Sequence, residues 1–313
     1  MSTAVENRVS DDVADERALK ARRFSRAWKN PALWIIQIIM AVSSIFMALP
    51  FLWMLFSSVK PLDEIFEQPP RLLPKGMPWE WKWDNYSDAF EQASAGGAWW
   101  SSGFPLAFWN SFYIASLVTV GTLLTSAMAA YAFARIRFAG RGFWFMLFLA
   151  TMMVPAQLTI IPLFIIMGEL KWVDTHLPLI IPPILFNAFG VFLLRQYVRG
   201  IPVELEEAAQ IDGASRFRIF TQMILPLLKS PMVALGIFTF LGQWNNFFYP
   251  LIFLNSSDKF TLPLVVNQFK GAYSSNWTGI MAAATLSALP LLIVFIFAQR
   301  QIVEGIALSG SKT

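Results

Sequence analysis

Ile201-Pro-Val-Glu-Leu-Glu-Glu-Ala-Ala-Gln-Ile-Asp-Gly-Ala-Ser-Arg-Phe-Arg-Ile-Phe-Thr-Gln-Met-Ile-Leu-Pro226 is a polar, helix-forming insert in a chain that is otherwise mostly apolar. Its spacing predicts two short helices. Pro202 suits a first helical position, Glu204, Glu206 and Glu207 put negative charge at the positive end of the helix dipole, and Gly213 supplies the stop. Ser215 then caps a second helix, whose Phe217, Phe220 and Ile224 recur at helical spacing until Leu225-Pro226 leads into the next apolar stretch. On the first helix Leu205, Ala208, Ala209 and Asp212 fall near one face, where two alanines leave a low surface for another protein to close on. That helix holds four acids and no base, so a complementary socket is basic.

The remainder has a membrane composition. Of 313 residues, 56% are hydrophobic and 14% charged, and the mean hydropathy of +0.52 lies outside the range usual for a soluble globule. Six apolar stretches, at about 34–56, 108–134, 143–168, 177–198, 231–254 and 279–299, are each long enough to cross a hydrocarbon core of about 30 Å. Internal prolines (Pro155, Pro162, Pro182, Pro183, Pro250, Pro290) predict kinks rather than breaks. Segments 1–33, 135–142, 195–230 and 300–313 hold 17 of the 24 lysines and arginines, which makes theirs the cytoplasmic side and puts both termini and the insert there. Segment 60–107, with four bases and seven acids, is then the larger external loop.

Several functions are excluded or disfavoured. The N-terminal stretch lacks the apolar core and cleavage site of a secretory signal, so the first span is expected to stay as an anchor, with Arg22, Arg23, Arg26 and Lys29 near anionic lipid. With no cysteine, disulfides and thiol chemistry are ruled out, and the lone His176 makes no metal site. The span interiors carry no acid, lysine or histidine, and Arg195 sits close to the end of the fourth, so proton coupling is disfavoured. No G-x-x-x-x-G-K-[ST] loop is present, so any ATP is bound by another chain. The polar residues in or near the spans are amides and hydroxyls, among them Asn110, Gln157, Asn187, Gln243, Asn245 and Asn246. They suit a neutral polyhydroxylated solute or, equally, hydrogen bonds between helices. Gln243-Trp244-Asn245-Asn246 is the densest such cluster. The tryptophans Trp79, Trp81, Trp83, Trp99 and Trp100 fit anchoring at the membrane interface better than sugar stacking.

Glu207-Ala208-Ala209, Gly213 and Leu225-Pro226 resemble the EAA loop of the membrane subunits of binding-protein-dependent ABC importers. The family pattern carries Ile where this chain has Met223, a volume-tolerant apolar exchange. Pro69-Pro70-Arg71-Leu72-Leu73-Pro74, Asn85-Tyr86, Asn110-Ser111, Ala130-Tyr131-Ala132-Phe133-Ala134-Arg135, Val154-Pro155-Ala156-Gln157, Phe192-Leu193-Leu194-Arg195-Gln196, Trp244-Asn245 and Gln299-Arg300 extend the likeness to carbohydrate permeases similar to the second membrane subunit of the maltose transporter, a MalG-like chain. Asn246 stands where many relatives carry an acid.

The resemblance implies an all-α membrane protein with six transmembrane helices and a cytoplasmic EAA coupling hairpin. Its divisions are a tail at 1–33, the first span and external loop at 34–107, a permease core at 108–302 with the EAA loop at 201–226, and a tail at 303–313. It implies coupling to an ATPase through Glu206, Glu207, Ala208, Ala209, Asp212, Gly213, Ala214, Leu225 and Pro226, contact with a solute-binding protein through Gln268, Phe269, Lys270, Gly271 and Tyr273, and a companion permease that supplies most substrate contacts; the polar residues themselves suggest a substrate path along Gln157, Asn187, Gln243, Trp244, Asn245 and Asn246. A plain re-entry loop is the other reading of segment 268–273. Expected partners are a second permease, an ABC ATPase dimer carrying ATP and Mg, an extracytoplasmic sugar-binding protein and membrane lipids, with no nucleic acid. The chain itself is expected to be non-catalytic, without cofactor, in a bacterial or archaeal cytoplasmic membrane. Alternatives are the same architecture importing glycerol phosphate or another small solute, and a stand-alone channel or sodium-coupled carrier.

Overall fold

The computed structural model describes residues 31–94, 103–270 and 276–310. These are helical, with no strand among them, and the chain divides into two compact units at Phe56. The first unit holds all but the last residue of the helix Pro31–Ser57, whose 27 residues rise about 40 Å at 1.5 Å each. Its side chains are almost all apolar and exposed. Ser44 hides its hydroxyl by donating to Met40 O at 2.8 Å.

The second unit is organised around the 32-residue helix Phe104–Arg135. Ala107, Ser111, Ala115, Val118, Thr122, Ser126 and Ala130 recur every three or four residues on its buried face. Small side chains there let the helices Leu177–Leu185, Ala188–Gly200 and Lys229–Trp244 approach closely, which is how helices associate where lipid removes the hydrophobic drive. Trp109, Leu117, Val120, Leu124 and Met128 form the opposite, exposed stripe.

Among the described residues four helices are long and apolar enough to cross a membrane, or up to six if each of two bent pairs crosses as one span. The bent pairs correct the expectation of simple kinks. At Pro155 the helical segments 141–153 and 157–169 meet at 94°, and Pro182 and Pro183 end the helix Leu177–Leu185, with Asn187 capping the next by accepting from Gly190 N at 2.6 Å. The expected span 231–254 is also interrupted. Its helix stops at Trp244, because the Asn245 amide turns back to Leu241 O (3.0 Å) and Asn246 Oδ1 accepts from Tyr249 N (3.4 Å), opening the short helix Phe248–Phe253. Before it, segment 216–227 joins Lys229–Trp244 at a 75° bend.

At the Phe104 end, loops are tied down by side chains. Asn110 donates to Asp258 O and Phe260 O, both at 3.0 Å, and Ser111 Oγ accepts from Leu262 N at 2.7 Å. Asp174 accepts from Ser256 Oγ (2.5 Å), the amides of Ser256 and Asn255 (2.9 Å each) and Lys259 Nζ (3.0 Å). These bonds, the Ser256 hydroxyl first, hold its carboxyl well below the usual carboxylate range. His176 lies between the Tyr113 hydroxyl and Lys259 O, so both ring nitrogens are engaged. In the segment 58–94, Asn85 donates to Ser58 O and Lys60 O (3.0 and 2.9 Å). The buried Lys60 ammonium donates to Arg71 O; burial lowers its pKa, with Glu64 and Glu67 opposing. Trp81 stacks on Trp83 and Trp83 on Tyr86, while Trp99 and Trp100 lie outside the described residues.

Candidate functional site: a polar hairpin and an uncharged cavity

The insert folds as two helices, Glu204–Ile211 and one that starts at Arg216. Gly213 ends the first in the left-handed region, at φ +79°. Its N–H donates to Gln210 O (3.0 Å) and the Ala214 N–H to Ala209 O (2.9 Å), the paired bonds of a Schellman stop. Ser215 Oγ accepts from Arg218 N at 3.3 Å and opens the second helix. A π-helical turn follows over Phe220–Ile224, passing the chain to Leu225-Pro226, where the missing N–H of proline cannot continue an α-helical ladder.

The first hairpin helix buries a single line of residues. Glu206 and Ala209 turn inward, whereas Glu204, Leu205, Glu207, Ala208, Gln210, Ile211, Asp212 and Gly213 are exposed. Ile211 is 87% exposed and Phe217, on the second helix, 72%, so the hairpin shows two large apolar side chains as well as its acids. Glu206 departs from the expected role in partner contact. It is 5% exposed, its Oε1 lies 2.6 Å from Arg135 Nε, and its Oε2 accepts from the Tyr131 hydroxyl at 3.3 Å. Ala209, Ala214 and Leu225 likewise pack inward on the core around Tyr131, Leu194, Ile219 and Ile224, while Pro226 is exposed. Ala208, Glu207 and Asp212 are left on the open face.

A cavity of about 510 Å³ opens beside the broken helices. Its polar lining comes from Gln243, Asn246, Tyr249, Thr151 and Thr159, and its apolar lining from Leu163, Leu179, Pro182, Pro183 and Phe186 among others. Among the described residues, no acid, lysine, arginine or histidine lines it. Gln243 and Asn246, three residues apart, share this wall, and the Asn246 amide points at Gln243 Oε1 (3.5 Å).

The other expected path residues go elsewhere. Trp244 is 1% exposed, stacked on Phe240, with its indole N–H donated to Ser287 O at 3.1 Å; it is a packing residue because its ring points into the core from the opposite side of the helix. Asn245 and Gln157 are exposed but do not line the cavity, and Asn187 spends its oxygen on a helix cap. Phe269 corrects the expected reach toward a binding protein. It is 3% exposed in a cluster with Phe104 and Trp244, whereas Gln268 and Lys270 are exposed and Gly271 and Tyr273 lie outside the described residues. The structure adds Arg135 and Tyr131 at the hairpin and Thr151, Thr159 and Tyr249 at the cavity; the sequence signal for the first two is their place in Ala130–Arg135, next to a basic turn. Among the described residues no group of three or more His, Asp or Glu could hold a metal.

The chain matches the family model described as binding-protein-dependent transport system inner membrane component over residues 121–307. It is 34% identical to the arabinooligosaccharides transport system permease protein AraQ of Halalkalibacterium halodurans, over 89% of this chain and 96% of that protein. It is 32% identical to the sn-glycerol-3-phosphate transport system permease protein UgpE of Pectobacterium atrosepticum, over 78% of this chain and 85% of the other. Its fold is similar, with a TM-score of 0.71 at 21% identity, to a chain in the crystal structure of a bacterial ABC transporter involved in the import of the acidic polysaccharide alginate, covering 85% of this chain and 94% of that one.

Proposed function

This chain belongs to the inner membrane components of binding-protein-dependent transport systems, and from that premise we propose that it is one permease subunit of an ATP-driven importer of a neutral carbohydrate. The cavity carries the choice of cargo. Its amides and hydroxyls both donate and accept, as the hydroxyls of a sugar do, and no base is present to compensate a phosphate or carboxylate. The likeness to a glycerol-phosphate permease favours the rival cargo; a bound phosphate would then need its cations from the companion permease.

In this reading six spans cross the membrane, each bent pair counting as one, with both termini and the hairpin in the cytosol. A second permease completes the path. The exposed hairpin face, with Glu204, Glu207 and Asp212 around Leu205, Ala208, Ile211 and Phe217, enters a basic, partly apolar socket on an ATPase dimer that holds ATP and Mg. Closure of the dimer moves the hairpin and turns the cavity outward to receive sugar from an extracytoplasmic binding protein; hydrolysis resets it. The chain does no chemistry itself. Uptake into vesicles carrying the complete importer, compared between neutral oligosaccharides and sn-glycerol 3-phosphate, tests the cargo. A neutral oligosaccharide is expected to be taken up, and uptake restricted to the phosphate ester would overturn the choice.

A further inference from the structure

The hairpin is pinned to the membrane unit at one charged point. Arg135, the last residue of the helix Phe104–Arg135, meets Glu206 at 2.6 Å and donates from Nη2 to Val198 O at 2.8 Å and also to Ile201 O. Side-chain exposures of 13% and 6% leave the pair nearly out of water. Tyr131, one turn earlier, donates to the other oxygen of Glu206 and packs its ring on Phe220 of the second hairpin helix. One guanidinium thus joins the hairpin, the central helix and the C-terminal turn of Ala188–Gly200.

The same central helix is bonded to the wall of the cavity. Proline breaks the helix Leu177–Leu185, and two carbonyls near its end find partners on the neighbour: Thr122 donates to Pro183 O (3.2 Å) and Thr125 to Ile184 O (2.6 Å). Pro182, Pro183 and Phe186 line the cavity. The central helix is therefore bonded to Glu206 at its Arg135 end and to the cavity wall at Thr122 and Thr125.

We infer that Arg135 and Glu206 are positioning residues that clamp the hairpin to the central helix, so that displacement of the hairpin reaches the cavity as motion of one rigid body. This rests on the coupling role proposed above. The chain contains no cysteine, so spin labels attach only where cysteines are introduced. Gln210→Cys and Met128→Cys, both at exposed positions, report the separation of hairpin and helix in the assembled importer. Between the nucleotide-free and ATP-trapped states it is expected to change by less than about 2 Å, the scale of adjustment at packed helix interfaces. With Glu206→Gln the distance distribution broadens and uptake per ATP hydrolysed falls about tenfold, within the range of coupling between sites. Exchange of the two charges (Arg135→Glu with Glu206→Arg) restores part of the loss.

A change of more than about 5 Å with the pair intact, the size of a one-turn ratchet, overturns the inference, as does wild-type uptake per ATP in Glu206→Gln. If Glu206→Gln fails to accumulate, Tyr131→Phe removes one hydroxyl, and about a twofold loss is expected, with no loss counting against the clamp. Failure of the wild-type chain to co-purify with its ATPase would instead refute the coupling role, independently of the distances.

Discussion

Replacing Gly213 by valine strains the one backbone position on which the hairpin turn depends. At φ +79° a residue with a Cβ meets its own backbone, and no other atom lies within 4 Å of where that Cβ would sit, so the cost is conformational strain alone. A non-glycine residue there costs about 1–3 kcal/mol, with β-branched side chains at the upper end. Relaxing the strain breaks the Gly213 and Ala214 hydrogen bonds of the helix stop and redirects the exposed face carrying Glu207, Ala208 and Ile211. At 1.4 kcal/mol per tenfold, the population of competent hairpin falls about fivefold to a hundredfold or more. Gly213→Asn is the control, because asparagine tolerates the left-handed region. Co-purification of the ATPase and uptake per unit of membrane protein give the readout. The valine variant is expected to insert normally, bind ATPase weakly and transport poorly, with asparagine close to wild type. Equal behaviour of the two variants would refute a role for the left-handed turn.

Glu207→Lys reverses charge on the exposed hairpin face and is expected to weaken ATPase association, measured by pull-down; wild-type association would remove Glu207 from the interface. Gln243→Ala and Asn246→Ala each lose a neutral hydrogen bond at the cavity wall and are expected to lower apparent solute affinity about twofold to tenfold, whereas Asn245→Ala changes nothing in the same uptake titration. Asp174→Asn removes the charge and turns Oδ2, which accepts from Ser256 Oγ and Lys259 Nζ, into an NH2 that cannot accept, while its remaining oxygen can still take the amides of Asn255 and Ser256. Because the native carboxyl titrates below its unfolded value of about 3.9, its stabilisation is fully present above that pH and is lost only as pH falls through the lower native value. Thermal unfolding in detergent is expected to show the variant destabilised by about 1–2 kcal/mol, equally at pH 7 and pH 5; a difference that vanishes by pH 5 would contradict the depressed titration.

Gly213 and Ser215 were legible in the sequence because stops and caps are local signals, and the structure uses both as such. The inward turn of Glu206 was not, since an eight-residue helix with acids at positions 204, 206 and 207 has no periodicity that distinguishes the one held by Arg135, 71 positions earlier in the chain. Long-range partners also decided the aromatics. Trp244 beside three amides and Phe269 in a polar loop both suggested contact surfaces, yet burial against Phe108, Phe240 and Gly279 assigns them to packing. Pro155 announced a disturbance but not a 94° break, because the angle depends on what the neighbouring segments offer the freed carbonyls. The scarcity of charge in the apolar stretches was readable from composition; which amides face the cavity required the interruption at Asn245 and Asn246.

Whether partner chains and ATP drive transport is decided by solute accumulation in proteoliposomes containing this chain alone, compared with those containing it together with its companion permease, ATPase and binding protein, each with and without ATP. Accumulation is expected only in the complete assembly, only with ATP, and only when the binding protein is present on the side opposite the nucleotide. Accumulation or flux through the chain alone without nucleotide would contradict ATP-driven import and leave a stand-alone channel or ion-coupled carrier in its place.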